Sequence, residues 1–281
     1  MTGPAEAAAA TCPHCNGLGL YYDPHVEAGR YGTLKVCSCI EEQCRCGGQS
    51  PYQYWDENSQ RCWCACAPVR RRLAEVKRRF QDADVPSLFR WKFRHDFRDV
   101  SPDGRTPLQV ASRAMRVIRF VSGVVDEGKD PKRGYLLHGV PGTGKSLVSA
   151  ILLNELILHR NRSGRFLNLS LKYFQQLKDT FSAESRRYGQ TWQILEELCN
   201  MPYLVLDDFG VQRGTEWEME MLYNLVDARY SEERFTVVTT NQPLDALQEL
   251  PHGGRIHSRL LEMCYLVDMN GDDYRRFLMS E

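Results

Sequence analysis

RGYLLHGVPGTGKS, residues 133–146, decides the fold. The apolar run ahead of Gly139 reads as a short buried strand. Gly139-Val140-Pro141-Gly142-Thr143-Gly144-Lys145-Ser146 then matches G-x-x-x-x-G-K-[ST], and helical apolar spacing follows through about His159. Strand, glycine loop and helix together form a phosphate cradle. The glycines let backbone N–H groups wrap phosphate oxygens, and the helix N-terminus adds its dipole. Lys145 is expected to reach the β- and γ-phosphates, and the Ser146 hydroxyl to ligate Mg²⁺. The unit predicts an α/β fold with a parallel sheet.

Downstream, Tyr203-Leu-Val-Leu-Asp207-Asp208 is an apolar strand ending in two carboxylates, about sixty residues after the loop. At that spacing Asp207 is expected to orient the Mg²⁺ shell and Asp208 to polarise the attacking water. Arg234 to Asn241 (RFTVVTTN) is a third strand with a polar tip, suited to holding that water or sensing the γ-phosphate. Gly253-Gly-Arg255-Ile-His-Ser-Arg259-Leu-Leu reads as a helix, and its two arginines, four apart, share one face.

Upstream, the composition changes. Nine of the 11 cysteines lie between Cys12 and Cys66. Cys12-Pro-His-Cys15-Asn-Gly-Leu-Gly19 is a C-x-x-C-x-G-x-G run, and Cys37-Ser-Cys39 could close a four-thiolate site with it. Four of Cys44, Cys46, Cys62, Cys64 and Cys66 could make a second; spacing leaves open whether Cys62 or Cys66 is left over. His14 and His25 are possible substitutes. Structural Zn²⁺, one or two ions, is the first reading, and an iron–sulfur cluster the alternative. With so little aliphatic material, metal binding is expected to supply the folding energy of this module. Cys199 and Cys264 fall in predicted helices and read as small buried hydrophobes.

The 36 basic and 36 acidic side chains cancel, but unevenly. Residues 1–66 carry net −3, residues 67–98 net +6 and residues 99–281 net −3. A length of 281 suggests about two domains, and 42% hydrophobic with 26% charged is an ordinary globular composition. No run approaches the ~18 apolar residues of a membrane span, and the Ala-rich start lacks the features of a signal peptide. Paired C-x-x-C and C-x-C cysteines favour metal thiolates in a reducing cytoplasm over disulfides. The expected organisation is a metal module over 1–66, a basic linker over 67–98 and a nucleotide-binding core over 99–281. Residues 67–81 (APVRRRLAEVKRRFQ) have helical apolar spacing at Leu73, Val76 and Phe80, with arginines that suit either solvent or a phosphate backbone.

Together these motifs resemble the AAA+ ATPases, and within them the bacterial replicative helicase loaders of the DnaC/DnaI type in the DnaC/IstB superfamily. The likeness runs from about Val85 to Glu281 through VPSLFRWKFRHDF, GVPGTGKS, YLVLDDFG, VQRGTEWEMEMLYNLVDARYSEERFTVVTTN, GRIHSRL and GDDYR. The N-terminal cysteine pairs are similar to the zinc-binding front end of many such ATPases. The resemblance implies an AAA+ sheet in the order 5-1-4-3-2 with helices on both faces. It implies Walker A at Gly139–Ser146, Walker B at Asp207 and Asp208, sensor 1 at Asn241 and a sensor-2-like arginine at Arg275. Arg259 matches an arginine finger presented in trans to a neighbouring subunit's ATP, with Arg255 its companion. The stretch around Phe89, Trp91, Phe93 and Phe97 is placed near the adenine, with core packing as the alternative. Asp208 stands where most AAA+ proteins have Glu, and its shorter arm implies slow turnover. The function implied is ATP-switched, oligomeric loading of a hexameric replicative helicase onto single-stranded DNA in replication initiation or restart. An IstB-type ATPase regulating a transposase on duplex DNA shares the same core and is the alternative.

Overall fold

A parallel strand buried on both faces reads as a near-continuous apolar or β-branched run, and the YLVL of YLVLDDF and the whole of FTVVTT have that character. In the computed structural model, which describes residues 12–23, 32–100, 108–182, 184–185, 188–210 and 215–275, they become β7 (Tyr203–Phe209) and β8 (Phe235–Thr240). With β5 (Gly134–His138), β6 (Gly164–Asn168) and β9 (Cys264–Asp268) they form one sheet in the order β6-β7-β8-β5-β9, every pair parallel. The strand that feeds the glycine loop, β5, therefore lies inside the sheet, between β8 and β9. Its register sets Leu137 opposite Thr239, while β6 and β7 set Asn168 opposite Asp207. Polar strand ends thus gather at one edge, where α/β sheets place ligands.

The helices of this unit are α3 (Ala111–Asp126), α4 (Lys145–Arg160), α5 (Phe174–Asp179), α6 (Thr191–Asn200), α7 (Glu216–Ser231) and α8 (Gly253–Met263). Helix α4 is buried all round from Val148 to Leu158, including the polar Asn154 and Glu155. Both side chains have partners. Asn154 donates to the carbonyls of Phe89 and Lys92 (2.9 and 2.8 Å), and Glu155 accepts from the backbone and side chain of Arg94 (2.8 and 2.9 Å). The aromatic segment 89–94 is thereby pinned along α4, with Phe93 buried. The Arg94 and His159 bonds hold the Glu155 carboxyl down at about 2 against the opposing effect of burial.

Arg229 on α7 is fully buried. It donates to the carbonyls of Leu198, Cys199 and Met201 at the end of α6 (2.8, 3.3 and 2.7 Å), to the Phe235 carbonyl (2.7 Å) and to the Thr236 hydroxyl (2.9 Å). A cation here satisfies the orphan carbonyls that close a helix and favours its dipole. Arg229→Met strands several buried acceptors, so we expect a loss on the order of 3 kcal/mol. Thermal unfolding of this unit should register this as a fall of roughly 10 °C in Tm. An unchanged Tm would contradict this account.

The chain divides after Gln81 into two compact units. The first contains the hairpin β1 (Leu20–Asp23) and β2 (Thr33–Val36), the short α1 (Ser38–Glu41), the hairpin β3 (Gln53–Trp55) and β4 (Arg61–Trp63), and α2 (Ala67–Asp82). The composition-based boundary at residue 66 therefore falls inside this unit. Helix α2 starts directly on Cys66, and Val69 packs with the cysteines, Leu20, Val36 and Ile40. The basic helix is part of the first unit rather than a free linker. One correction concerns Cys264, which was expected in a helix. Helix α8 ends at Met263, and Cys264, with extended backbone (φ −125°, ψ 146°), opens β9. It is buried there as expected. His25 lies outside the described residues.

Candidate functional site

The loop between β5 and α4 is shaped by positive φ at Gly139 (145°), Gly142 (83°) and Gly144 (89°). Two of these glycines also leave room for a close neighbour. A Cβ on Gly139 would stand 2.6 Å from the Met269 carbonyl carbon, and one on Gly142 would overlap the Asp273 carboxylate. The residues after β9 thus lie along the loop. Val140 N–H donates to Asn270 Oδ1 (3.0 Å), and Tyr274 N–H donates to the Gly142 carbonyl (3.0 Å). Arg275 is near enough to disfavour charge on Lys145.

Lys145 is buried, with Nζ donating to the carbonyls of Gly139 and Val140 (both 2.7 Å). Burial brings its ammonium down to about 8, against the opposing pull of Asp208 and Asp207. Such an ammonium has much to gain from phosphate oxygens. Ser146 Oγ donates to Asp207 Oδ1 (2.8 Å), and Thr239 Oγ1 donates to the same oxygen (2.7 Å). The Asp207 carboxyl is nearly buried and pushed up by that burial. A hydroxyl and a carboxylate oxygen this close form a hard-oxygen donor pair, the ligand chemistry that Mg²⁺ requires.

Asp208 sits at φ 59°, a left-handed conformation costly for a residue with a Cβ, where the β7–β8 register shifts between Leu206 and Phe209. Two contacts hold it: its N–H donates to Thr239 Oγ1 (3.1 Å), and its Oδ2 accepts from Asn168 Nδ2 (3.1 Å). The bulge turns Asp208 away from the strand alternation that a straight β7 would impose. Sequence reasoning gave Asn168 no role and saw Thr239 only as part of the polar tip of the third strand. The available signal was a polar residue ending an apolar strand, as in FLN and TVVTT. Asn241 stands two residues beyond Thr239, past the end of β8, and is half-buried.

Thr239→Val keeps the shape but loses both bonds. We expect ATP hydrolysis to slow about tenfold, equivalent to about 1.4 kcal/mol in the barrier, while nucleotide affinity changes less than threefold. Steady-state hydrolysis and a nucleotide-binding titration would separate the two. Equal losses in both would show that Thr239 only supports the fold.

Arg259 on α8 lies against α7. It pairs with Asp227, donates to the Tyr223 hydroxyl (3.2 Å) and stacks over the Tyr223 and Tyr230 rings (4.9 and 5.7 Å). Arg255 also approaches the Tyr223 ring (6.0 Å). The two arginines share a face, as their spacing requires, and are kept together by Tyr223.

In the first unit, the sulfurs of Cys12, Cys15, Cys37 and Cys39 form one group and those of Cys44, Cys46, Cys64 and Cys66 another, each within 4.8 Å. Cys12–Cys37 and Cys15–Cys39 are 3.8 Å apart, and the second group shows separations of 3.5 to 4.0 Å. A tetrahedron with metal–sulfur bonds of about 2.3 Å has edges of about 3.8 Å, so each group fits one four-coordinate ion. Thiolates on separate irons of a cluster would stand farther apart. Backbone N–H groups of Gly19 and Arg45 point at the sulfurs of Cys15 and Cys64 (3.3 Å each). Cys62 belongs to neither group; its sulfur faces Asp56 (3.7 Å).

The family described as IstB-like ATP binding protein matches residues 129–280, which include the whole glycine loop and both carboxylates. The chain belongs to this family. Among relatives, the replicative helicase loader DnaC of Escherichia coli (strain K12) is 34% identical over 143 residues, 50% of this chain and 56% of that protein. This IstB-like chain thus spans about half the length of the curated relatives it matches. A crystal structure of DnaI is similar at a TM-score of 0.51 and 24% identity, covering 70% of this chain and all of the other. A crystal structure of the DnaC helicase loader is similar at a TM-score of 0.50 and 20% identity, covering 68% of this chain and 98% of the other. These likenesses show the fold of the part they cover, a five-stranded parallel sheet with flanking helices. No helix among the described residues is long and apolar enough to cross a membrane.

Proposed function

We propose that this chain is a slow ATPase that loads a hexameric replicative helicase onto single-stranded DNA. The observation that carries the reading is the bonded set Ser146–Asp207–Thr239 below the Lys145 loop, in a chain 34% identical over 143 residues to a replicative helicase loader. The residues would divide the work as follows. Backbone N–H groups of Gly139 to Ser146, with Pro141 shaping the turn, hold the phosphates, and Lys145 neutralises their charge. Ser146 and Asp207 hold Mg²⁺. Bound Mg²⁺–ATP supplies the phosphoryl group that is cleaved. Asp208, fixed by Asn168, orients the water, and Asn241 with Arg275 senses the γ-phosphate. A shorter carboxylate arm than Glu suits a switch better than a fast turnover engine.

Self-association would place Arg259 at a neighbour's nucleotide, exchanging its Asp227 pairing for phosphate. The ATPase units would then grip single-stranded DNA, and the first unit, held by one Zn²⁺ in each cysteine group, would hold the helicase. Hydrolysis would release it. The setting is the cytoplasm, in replication initiation or restart.

Co-purification with the host's replicative helicase, with and without ATP, tests the reading. A stable complex is expected, with ATP changing its yield. No complex under either condition, together with capture of a transposase, would favour the IstB-type alternative.

A further inference from the structure

The β3–β4 hairpin of the first unit carries two tryptophans that the fold does not use. Trp55 is 69% exposed and Trp63 57% exposed. The antiparallel register pairs Gln53 with Trp63 and Trp55 with Arg61, while Tyr54 pairs with Cys62. Directly paired residues share a face, so Gln53, Trp55, Arg61 and Trp63 lie on one side of the hairpin. Tyr54 is on the other side, packed against the cysteine core. The two indoles are diagonal neighbours, a relation that spaces side chains about 7–8 Å apart.

Cations surround this face. The Arg71 guanidinium, from the first turns of α2, stacks 4.4 Å over the Trp63 ring, and Arg61 lies opposite Trp55. Arg45, by contrast, approaches the Tyr54 ring on the other side of the hairpin (5.6 Å). The nearby carboxylate of Asp56 is committed to the turn, accepting from the N–H groups of Asn58 and Gln60 (2.9 and 2.8 Å). Glu57 lies out at the tip. That turn also fixes the hairpin, so the aromatic face is preorganised. Scattered single exposed hydrophobics need no explanation, but two tryptophans on one rigid face with guanidinium groups beside them do. A purely apolar protein surface would not match the arginines. Unpaired bases offer π-faces to the indoles and phosphates to the arginines, the combination found in sequence-tolerant single-strand binding.

We propose that Trp55 and Trp63, with Arg61 and Arg71, form a base-stacking platform for single-stranded DNA within the cysteine-rich unit. It is separate from any grip exerted by the ATPase units and independent of the helicase reading. Each indole takes the face of one base, while the arginines neutralise the flanking phosphates.

The test uses the full, metal-loaded chain without nucleotide and a fluorescein-labelled 20-mer of thymidine, read by anisotropy. Binding should weaken at least tenfold in the Trp55→Ala/Trp63→Ala double variant. It should return to within threefold of the parent in Trp55→Phe/Trp63→Phe, fall with added salt, and be weaker for a duplex of equal length. Metal content and ATP hydrolysis should stay unchanged, since both indoles stand on the exposed hairpin face and neither supplies an atom to the thiol groups or the glycine loop. Should the alanine pair lose metal, Arg71→Glu decides instead, with at least a threefold loss expected. Affinity within threefold of the parent in the deciding variant overturns the platform. So does a deciding variant that keeps DNA affinity and loses a protein partner, which would make the face a protein-docking surface.

Discussion

Replacing Lys145 with alanine should reduce ATP hydrolysis by at least about a hundredfold. The side chain is buried beneath the glycine loop, and its Nζ rests on the Gly139 and Val140 carbonyls. A preorganised charge in such a dry position is worth about 10²–10³ in rate when removed. Two further variants separate the roles. Asp207→Asn keeps an acceptor for Ser146 and Thr239 but lowers the charge offered to Mg²⁺, so binding of Mg²⁺–ATP and turnover should fall together. Asp208→Asn should spare nucleotide binding and lose turnover, because its carboxylate faces Asn168 rather than Ser146. Single-turnover hydrolysis beside a nucleotide titration reads all three. Hydrolysis within tenfold of the parent in Lys145→Ala would remove the ATPase reading.

Stripping metal should unfold the first unit and leave the second folded. The first unit's apolar core beyond its thiols is small, with Leu20, Val36, Ile40 and Val69 at its centre. Structural Zn²⁺ contributes about 10–16 kcal/mol of apparent binding free energy in comparable small folds. Limited proteolysis after chelation should therefore cleave within residues 1–81 while nucleotide binding persists. Elemental analysis should find two zinc ions per chain. Cys15→Ser or Cys66→Ser should each lose one ion, and Cys62→Ser none, because Cys62 lies outside both groups. Metal loss in Cys62→Ser, or retention of both ions in Cys66→Ser, would contradict the grouping.

Much of the nucleotide site was legible before any coordinates. GVPGTGKS is a local device: its glycines, lysine and serine act within one turn, so spacing alone conveys the chemistry. The Asp207-Asp208 pair was legible because its place about sixty residues after the glycine loop turns an otherwise weak strand-end signal into a strong one. Asn168 was not legible, since its role comes from lying opposite Asp207 across β6 and β7, residues separated by 39 positions. Thr239 was visible only as part of a polar tip. The choice between Thr239 and its neighbours is a matter of which side chain the β7–β8 register turns toward Asp207.

The sequence by itself determined a P-loop α/β core, a front end rich in thiol pairs, and the glycine loop whose residues are proposed to hold phosphate. These follow from short-range patterns, whose physics depends on neighbours in the chain. Tertiary structure alone decided that Cys66 joins the second thiol group and Cys62 does not. It also assigned the basic helix to the cysteine unit, made Cys264 a strand residue, and set two tryptophans on one exposed face. Each of those depends on which segments meet in space, and hydrophobic burial and strand register settle that over distances that residue spacing does not encode.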